Sequence, residues 1–226
     1  MKNNSCIIKV LLCLTFFAVS SQLFASTPVD GNGNIVTRQI DITAFDKVSN
    51  ALSATVNFTV SDDYSCIVRM DENLLDYLDI YVKDRELKLC VAKSMMGVSL
   101  NPTEFVIELS APSLEGIKIA GSGSFTILSP LRTEKFEVDI AGSGDVYIGS
   151  GSVNKMVVSI AGSGSLESYC DTSEMNAKIA GSGNITANVG TNLFYNIAGS
   201  GNIYYYGTPN LKGKKAGNGT LQQLED

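Results

Sequence analysis

Three acids and three tyrosines are the outward-facing side chains whose types and spacing could do chemistry. Asp139 and Asp145 flank one glycine-rich corner, and Glu167 falls one turn beyond Tyr147. Two carboxylates about 5–10 Å apart on one surface are what a glycosidase needs. The same acids suit an ordinary solvated strand face equally well. No Arg or Lys stands beside them at a matching outward offset to act as a lyase base, and Lys118 and Lys178 fall elsewhere on that face. The chain holds 0 histidines, so Ser-His-Asp, Cys-His and His-based metal sites are excluded. Ala141-Gly142-Ser143-Gly144-Asp145-Val146-Tyr147 faintly resembles a calcium-binding β-roll repeat, but the nonapeptide period is absent and no cofactor or metal is expected.

Tyr147, Tyr204 and Tyr206 are the candidate binding residues. Alternation along Tyr204-Tyr205-Tyr206 sends the outer two outward and Tyr205 inward, and Tyr147 shares the offset of Tyr204. Exposed aromatic rings stack on sugar faces or partner side chains at little entropic cost. The competing reading is tyrosine that merely suits a strand.

What positions these groups is a repeated word. Ile-Ala-Gly-Ser-Gly begins at Ile119, Ile140, Ile160, Ile179 and Ile197, and a worn copy reads Lys215-Ala216-Gly217-Asn218-Gly219. The steps are 21, 20, 19, 18 and 18 residues, a period that means stacked structural units. Two residues before the Ile stand Ile117, Val138, Val158, Ala177 and Tyr195, with a polar or charged residue between; six after it come Phe125, Val146, Leu166, Ile185 and Ile203. This period-two alternation predicts a strand on each side of the word. The corners are Gly121-Ser122-Gly123, Gly142-Ser143-Gly144, Gly162-Ser163-Gly164, Gly181-Ser182-Gly183 and Gly199-Ser200-Gly201. Glycine there reaches backbone angles that a Cβ disfavours and lets neighbouring turns approach closely. The five serines, extended by Asn218, are expected to stack as a hydrogen-bonded ladder. Strands of adjacent turns then pair in parallel about 4.8 Å apart. The predicted fold is all-β, a right-handed parallel β-helix (solenoid), with the opposite loop shrinking toward a polar C-terminal cap.

Residues 36–115 read as irregular turns, with strands at 36–42, 54–60, 65–70, 78–82, 87–91 and 105–109 and a helical turn at 71–77 capped by Asp71. Residues 26–35, with Gly31-Asn32-Gly33-Asn34, read as a flexible leader. Residues 36–226 form a single domain, 116–222 being the repeat turns. Residues 1–25 read as a signal peptide: Lys2 and Lys9, an apolar run from Val10 to Val19, then small residues up to Ala25. The chain is therefore expected to be exported, to the periplasm, the outer-membrane surface or the medium, with no transmembrane segment in the mature chain. Loss of the two lysines moves the net charge from −6 to −8, which disfavours nucleic acid as a partner. The mature cysteines Cys66, Cys90 and Cys170 are odd in number. Cys66 and Cys90 could pair; the alternative is three buried thiols packed as small hydrophobes.

One resemblance adds to this. The chain carries Arg38-Gln39-Ile40, Phe45-Asp46-Lys47-Val48, Leu74-Leu75-Asp76-Tyr77-Leu78, Glu86-Leu87-Lys88-Leu89, the serial Gly-Ser-Gly words and Gly207-Thr208-Pro209. This layout, over roughly residues 36–222, resembles the GIN-domain family, exported proteins mostly of Bacteroidetes named as autotransporter adhesin heads. The resemblance implies a right-handed β-helical fold and carries no catalytic or binding residues over. The sixth corner departs from it, with Asn218 in place of serine. The functional expectation is a non-catalytic adhesin-like or binding module of the cell envelope that engages a glycan or an envelope or surface protein. The alternatives are a passive envelope scaffold holding one protein partner and a carbohydrate-active enzyme on a β-helix.

Overall fold

The computed structural model describes residues 27–95 and 97–225; the expected signal peptide lies outside them. Among the described residues nineteen strands follow in chain order. The first nine are β1 (Thr27–Asp30), β2 (Ile35–Gln39), β3 (Lys47–Asn50), β4 (Thr55–Val60), β5 (Ser65–Asp71), β6 (Leu78–Lys83), β7 (Glu86–Val91), β8 (Val98–Asn101) and β9 (Phe105–Ala111). The repeats supply β10 (Gly116–Gly121), β11 (Ser124–Ile127), β12 (Leu131–Gly142), β13 (Asp145–Ile148), β14 (Gly151–Gly162), β15 (Ser165–Gly181), β16 (Asn184–Gly199), β17 (Asn202–Tyr206), β18 (Asn210–Ala216) and β19 (Leu221–Gln223).

From β10 onward every pairing is parallel and joins one turn to the next, so the chain is a β-solenoid of about 5 turns. The register matches the words in sequence: Ile119, Ile140, Ile160, Ile179 and Ile197 lie one above another, all at most 2% exposed. Columns at four before, two before, six after and eight after fill most of the remaining interior, as in Phe136, Val138, Val146 and Ile148. Each Ile so buried stabilises the coil by about 1.5–3 kcal/mol. The shortening of the period falls opposite the corner. Residues 128–130 separate β11 from β12 and residues 149–150 separate β13 from β14, whereas β15 and β16 run through without a break.

The two glycines of a corner are required for different reasons. The first takes a left-handed φ, +131° at Gly162, where L side chains are strained. The second has no room: a Cβ on Gly164 would lie 2.2 Å from the Gly144 carbonyl oxygen and 2.7 Å from Ile140 Cγ2. The expected serine ladder takes another form. Each corner serine is exposed, and from Ser143 onward its backbone N–H, not its hydroxyl, bonds the turn below, as in Ser163 to Gly142 O at 2.9 Å. A side-chain ladder does exist two residues further on. Asn202 Nδ2 donates to Asn184 Oδ1 at 2.9 Å, Asn202 Oδ1 accepts from Thr220 N at 2.9 Å, and Asp145 Oδ1 accepts from Ser165 N at 3.0 Å.

The N-terminal strands are not a run of irregular turns. β3 and β4 form one true turn beneath β10 and β11, with Asn50 under Ile119 and Val56 under Phe125. Its corner, Asn50-Ala51-Leu52-Ser53-Ala54, is a degenerate copy of the word. Asn50 Oδ1 accepts from Leu52 N at 2.9 Å and shapes the bend without glycine. Below it the chain changes habit: β6–β7, β5–β9 and β2–β5 pair antiparallel and close the end of the coil as a cap.

Two further expectations are corrected here. The Gly31–Asn34 run is not a flexible leader. β1 pairs with β8, Gly31 N bonds Asn101 O at 3.0 Å, and Gly33 N donates to Asp71 Oδ1 at 2.7 Å. A Cβ on Gly31 would strike the Asp71 carboxyl at 2.3 Å. Asp71 does not cap the 3-10 helix Glu72–Tyr77 with its side chain; the carboxylate accepts from Gly33 N and from Thr103 N, the latter at 2.7 Å. A charged acceptor satisfied by two amides of other segments outweighs the local cap.

Candidate binding face

The coil's outward columns decide which side chains can meet. On the arm leaving each corner, the columns seven and nine residues after the word's Ile face out. Tyr147 and Tyr204 stand in the former; Leu128, Tyr169 and Tyr206 stand in the latter. Gly149 leaves a gap in the ninth-residue column, and the Tyr147 ring leans over it, 3.4 Å from where a Cβ would be. Tyr147 and Tyr169 meet edge-on at 6.1 Å between ring centroids, and Tyr169 and Tyr206 at 6.5 Å. Tyr147 is 42% exposed, Tyr169 41% and Leu128 61%. The result is an aromatic strip that climbs the solenoid axis.

Of the expected residues, Tyr147 and Tyr206 join this strip, and Tyr204 stands beside it without a ring partner among the described residues. Tyr205 points inward and is buried, as alternation required. The ring that links the strip, Tyr169, is not part of a tyrosine run, so composition does not draw attention to it. Its signal is positional: it follows Ile160 by nine residues, as Tyr206 follows Ile197.

The three carboxylates divide between the two arms of the coil. Asp139 lies on the arm entering a corner, whereas Asp145 and Glu167 lie on the arm leaving one. Asp145 accepts from Ser165 N, and Glu167 accepts from the Tyr169 hydroxyl at 2.5 Å. That bond to a carboxylate pushes the Tyr169 phenol up to about 12. The carboxyls with clear displacements elsewhere all move down. Lys135 and Lys47 draw Glu137 down; at Glu86, burial pushes up but Lys88 and Lys118 prevail. A general acid requires the opposite displacement. Among the described residues no group of three or more Cys, Asp or Glu is arranged to hold a metal. The cysteines are free thiols: Cys66 and Cys170 are buried, and Cys90 is half-buried with Sγ 3.2 Å from Asp79 O. The Cys66–Cys90 pairing is absent.

The arm entering the corner carries a second outward feature, a shallow trough of about 590 Å³. An exposed alanine recurs in one column from Ala51 to Ala216, and the five that follow the word's Ile, Ala120, Ala141, Ala161, Ala180 and Ala198, form the trough's floor. Lys118, Asp139, Ser159, Lys178 and Asn196 form its wall. Among the described residues no helix is long and apolar enough to cross a membrane.

Comparison with known proteins fits this geometry. A family model described as "Putative auto-transporter adhesin, head GIN domain" matches residues 44–209. A solved structure described as a "putative lipid binding protein" from Parabacteroides distasonis is 26% identical, covering 88% of this chain and 100% of its own, with TM-score 0.65. A "putative adhesin" of the same organism is 22% identical over 87% of this chain and 100% of its own, with TM-score 0.69. Another from Bacteroides fragilis is 21% identical over 87% and 100%, with TM-score 0.65. The last two speak for the fold. No curated protein matches.

Proposed function

The chain belongs to the auto-transporter adhesin head GIN-domain family, and on that premise we propose that it is a non-catalytic, exported binding module of the cell envelope that recognises a glycan chain through the strip Tyr147–Tyr169–Tyr206. Export rests on the sequence of residues 1–25, with Lys2 and Lys9 ahead of an apolar run. The observation that carries the glycan is the exposed aromatic strip with its ring spacings of 6.1 and 6.5 Å. Sugar rings present C–H faces that stack on aromatic rings, and a chain of sugars lying along the solenoid axis meets one ring after another. Tyr204 and the carboxamide of Asn188, which bonds Asp171 at 3.0 Å, supply polar edges for hydroxyl groups.

The test is native gel electrophoresis of the protein through gels each loaded with one polysaccharide, with released sugar assayed in parallel. Retardation without release is expected for at least one polysaccharide. Tyr169→Ala should abolish it, and Tyr81→Ala, which removes an exposed tyrosine of the cap, should leave it intact. Equal retardation of Tyr169→Ala and the parent would remove the strip from the account. Release of sugar would bring back an enzymatic reading.

A further inference from the structure

We propose that the trough on the opposite arm docks a second copy of this chain, face to face and with the solenoid axes antiparallel. The trough's small side chains do not carry this; its charge pattern does. Register places Lys118, Asp139, Ser159, Lys178 and Asn196 in one outward column, one residue per turn. Asp139 and Lys178 lie one turn to either side of Ser159, both are exposed, and neither forms an ion pair among the described residues. Lys118 differs, since it lies 3.3 Å from Glu86.

A two-fold axis parallel to the strands at the level of Ser159 reverses the order of turns but keeps each column over itself. Asp139 of one copy then faces Lys178 of the other, twice, with Ser159 against Ser159 between them. Lys118 faces the neutral Asn196. The alanine column falls on itself about Ala161, which lets the sheets approach closely. Two columns are thus self-complementary under one operator, as an isologous interface requires.

The seven alanines of the column, Ala51 to Ala216, span six strand spacings of about 4.8 Å, roughly 29 Å. Four residues of strand at about 3.3 Å give a width of about 13 Å. A flat face of roughly 400 Å² per copy is half of what a standard stable interface buries per partner. The dimer is therefore weak and transient. That suits contacts between molecules held at high local density on a surface.

Sedimentation equilibrium of the protein from about 0.01 to 1 mM tests this. The parent should associate reversibly to a dimer. Asp139→Lys alone sets Lys against Lys, and Lys178→Asp alone sets Asp against Asp; each should weaken association at least tenfold. An equimolar mixture of the two should form a heterodimer of about the parent's strength, because both opposed pairs become attractive. The mixing arm also shows that the single variants are folded. A parent that stays monomeric at 1 mM, single variants that associate like the parent, or a mixture that does not recover would each overturn the proposal. So would a dansylated fatty acid that binds the monomeric parent and is displaced by Ala161→Glu, since a lipid would then be the occupant.

Discussion

The repeat coil and the N-terminal cap bury their cores by opposite means. In the coil, a residue's partner lies one period away, and the parallel register is set by glycines that permit one bend and one spacing. In the cap, β2 pairs with β5 and β5 with β9, so Ile35 meets Asp71 and Ser65 meets Ser110 across long sequence separations. Glycine geometry stacks the coil; specific polar contacts such as those of Asp71 lock the cap. A stack left open would expose strand edges to other chains. The antiparallel cap closes one end, and the fully exposed, lysine-bearing β18 guards the other.

The largest effect should come from placing a Cβ at a coil corner. At Gly162, φ is +131° and a Cβ would lie 2.2 Å from the Gly142 carbonyl oxygen, on backbone that cannot swing away. Gly162→Ala should destabilise the protein by about 3–5 kcal/mol, read as a lower urea midpoint. Gly33 in the cap also has a left-handed φ, +75°, but nothing lies within 4 Å of its Cβ position. Gly33→Ala should cost about 1–2 kcal/mol, the strain of the angle alone. Equal losses would mean that close approach of turns does not set the coil's stability.

Next in size is the clasp at Asp71. Its side chain is buried. Burial pushes the carboxyl up, but hydrogen bonds from the Gly33 and Thr103 amides prevail and hold it below the usual value of 3.8. A carboxyl depressed in the folded state contributes stability that is complete above its unfolded pKa and is lost as pH falls through its folded one. Asp71→Asn should therefore lower Tm most between pH 5 and 7, and the gap to the parent should narrow below about pH 4. A gap that stays constant down to pH 2 would show that shape at this position matters and charge does not.

Legibility in the sequence divides along the same line. The five words, their alternation and the shrinking period were enough for the strands, the parallel stacking and the buried columns. The degenerate turn at Asn50 was hidden because its corner uses an Asn side chain where the others use glycine. The cap's pairings were hidden because no period links Ile35 to Asp71, and the Gly-Asn run looked flexible because its partners, Asp71 and Asn101, are distant in sequence. The tyrosine strip was half legible. Tyr147 and Tyr206 follow from alternation, but the link through Tyr169 depends on rings leaning between turns.

The thiols probe the two regions separately. Burial in the cap pushes Cys66 up to about 12, and burial in the coil raises Cys170 as well. Cys90 is raised, by burial first and then by Asp79, yet it is half-buried at the cap's β6–β7 hairpin. Iodoacetamide at pH 8 should label Cys90 slowly in the native protein, and Cys66 and Cys170 only on unfolding. Labelling of Cys66 at the rate of Cys90 would mean that the cap opens independently of the coil.

The smallest effect lies on the coil's surface and should leave stability unchanged. Glu167 accepts the Tyr169 hydroxyl and keeps its proton on, so the phenol sits at about 12. Glu167→Gln removes the charge but keeps an acceptor, and the phenol should move toward its usual value near 10. Absorbance at 295 nm should then gain one ionised tyrosine between pH 10 and 11 that the parent lacks, with Tm unchanged at pH 7. The sign follows from charge: the phenolate and the carboxylate repel, and removing the carboxylate favours ionisation. If the titration is unaltered, Tyr169 is not held by Glu167, and its ring is free to leave the positions it takes between Tyr147 and Tyr206. The strip would then be three separate rings and not a preorganised surface, and the proposed affinity for a chain of sugars would have to come from ordering those rings on binding.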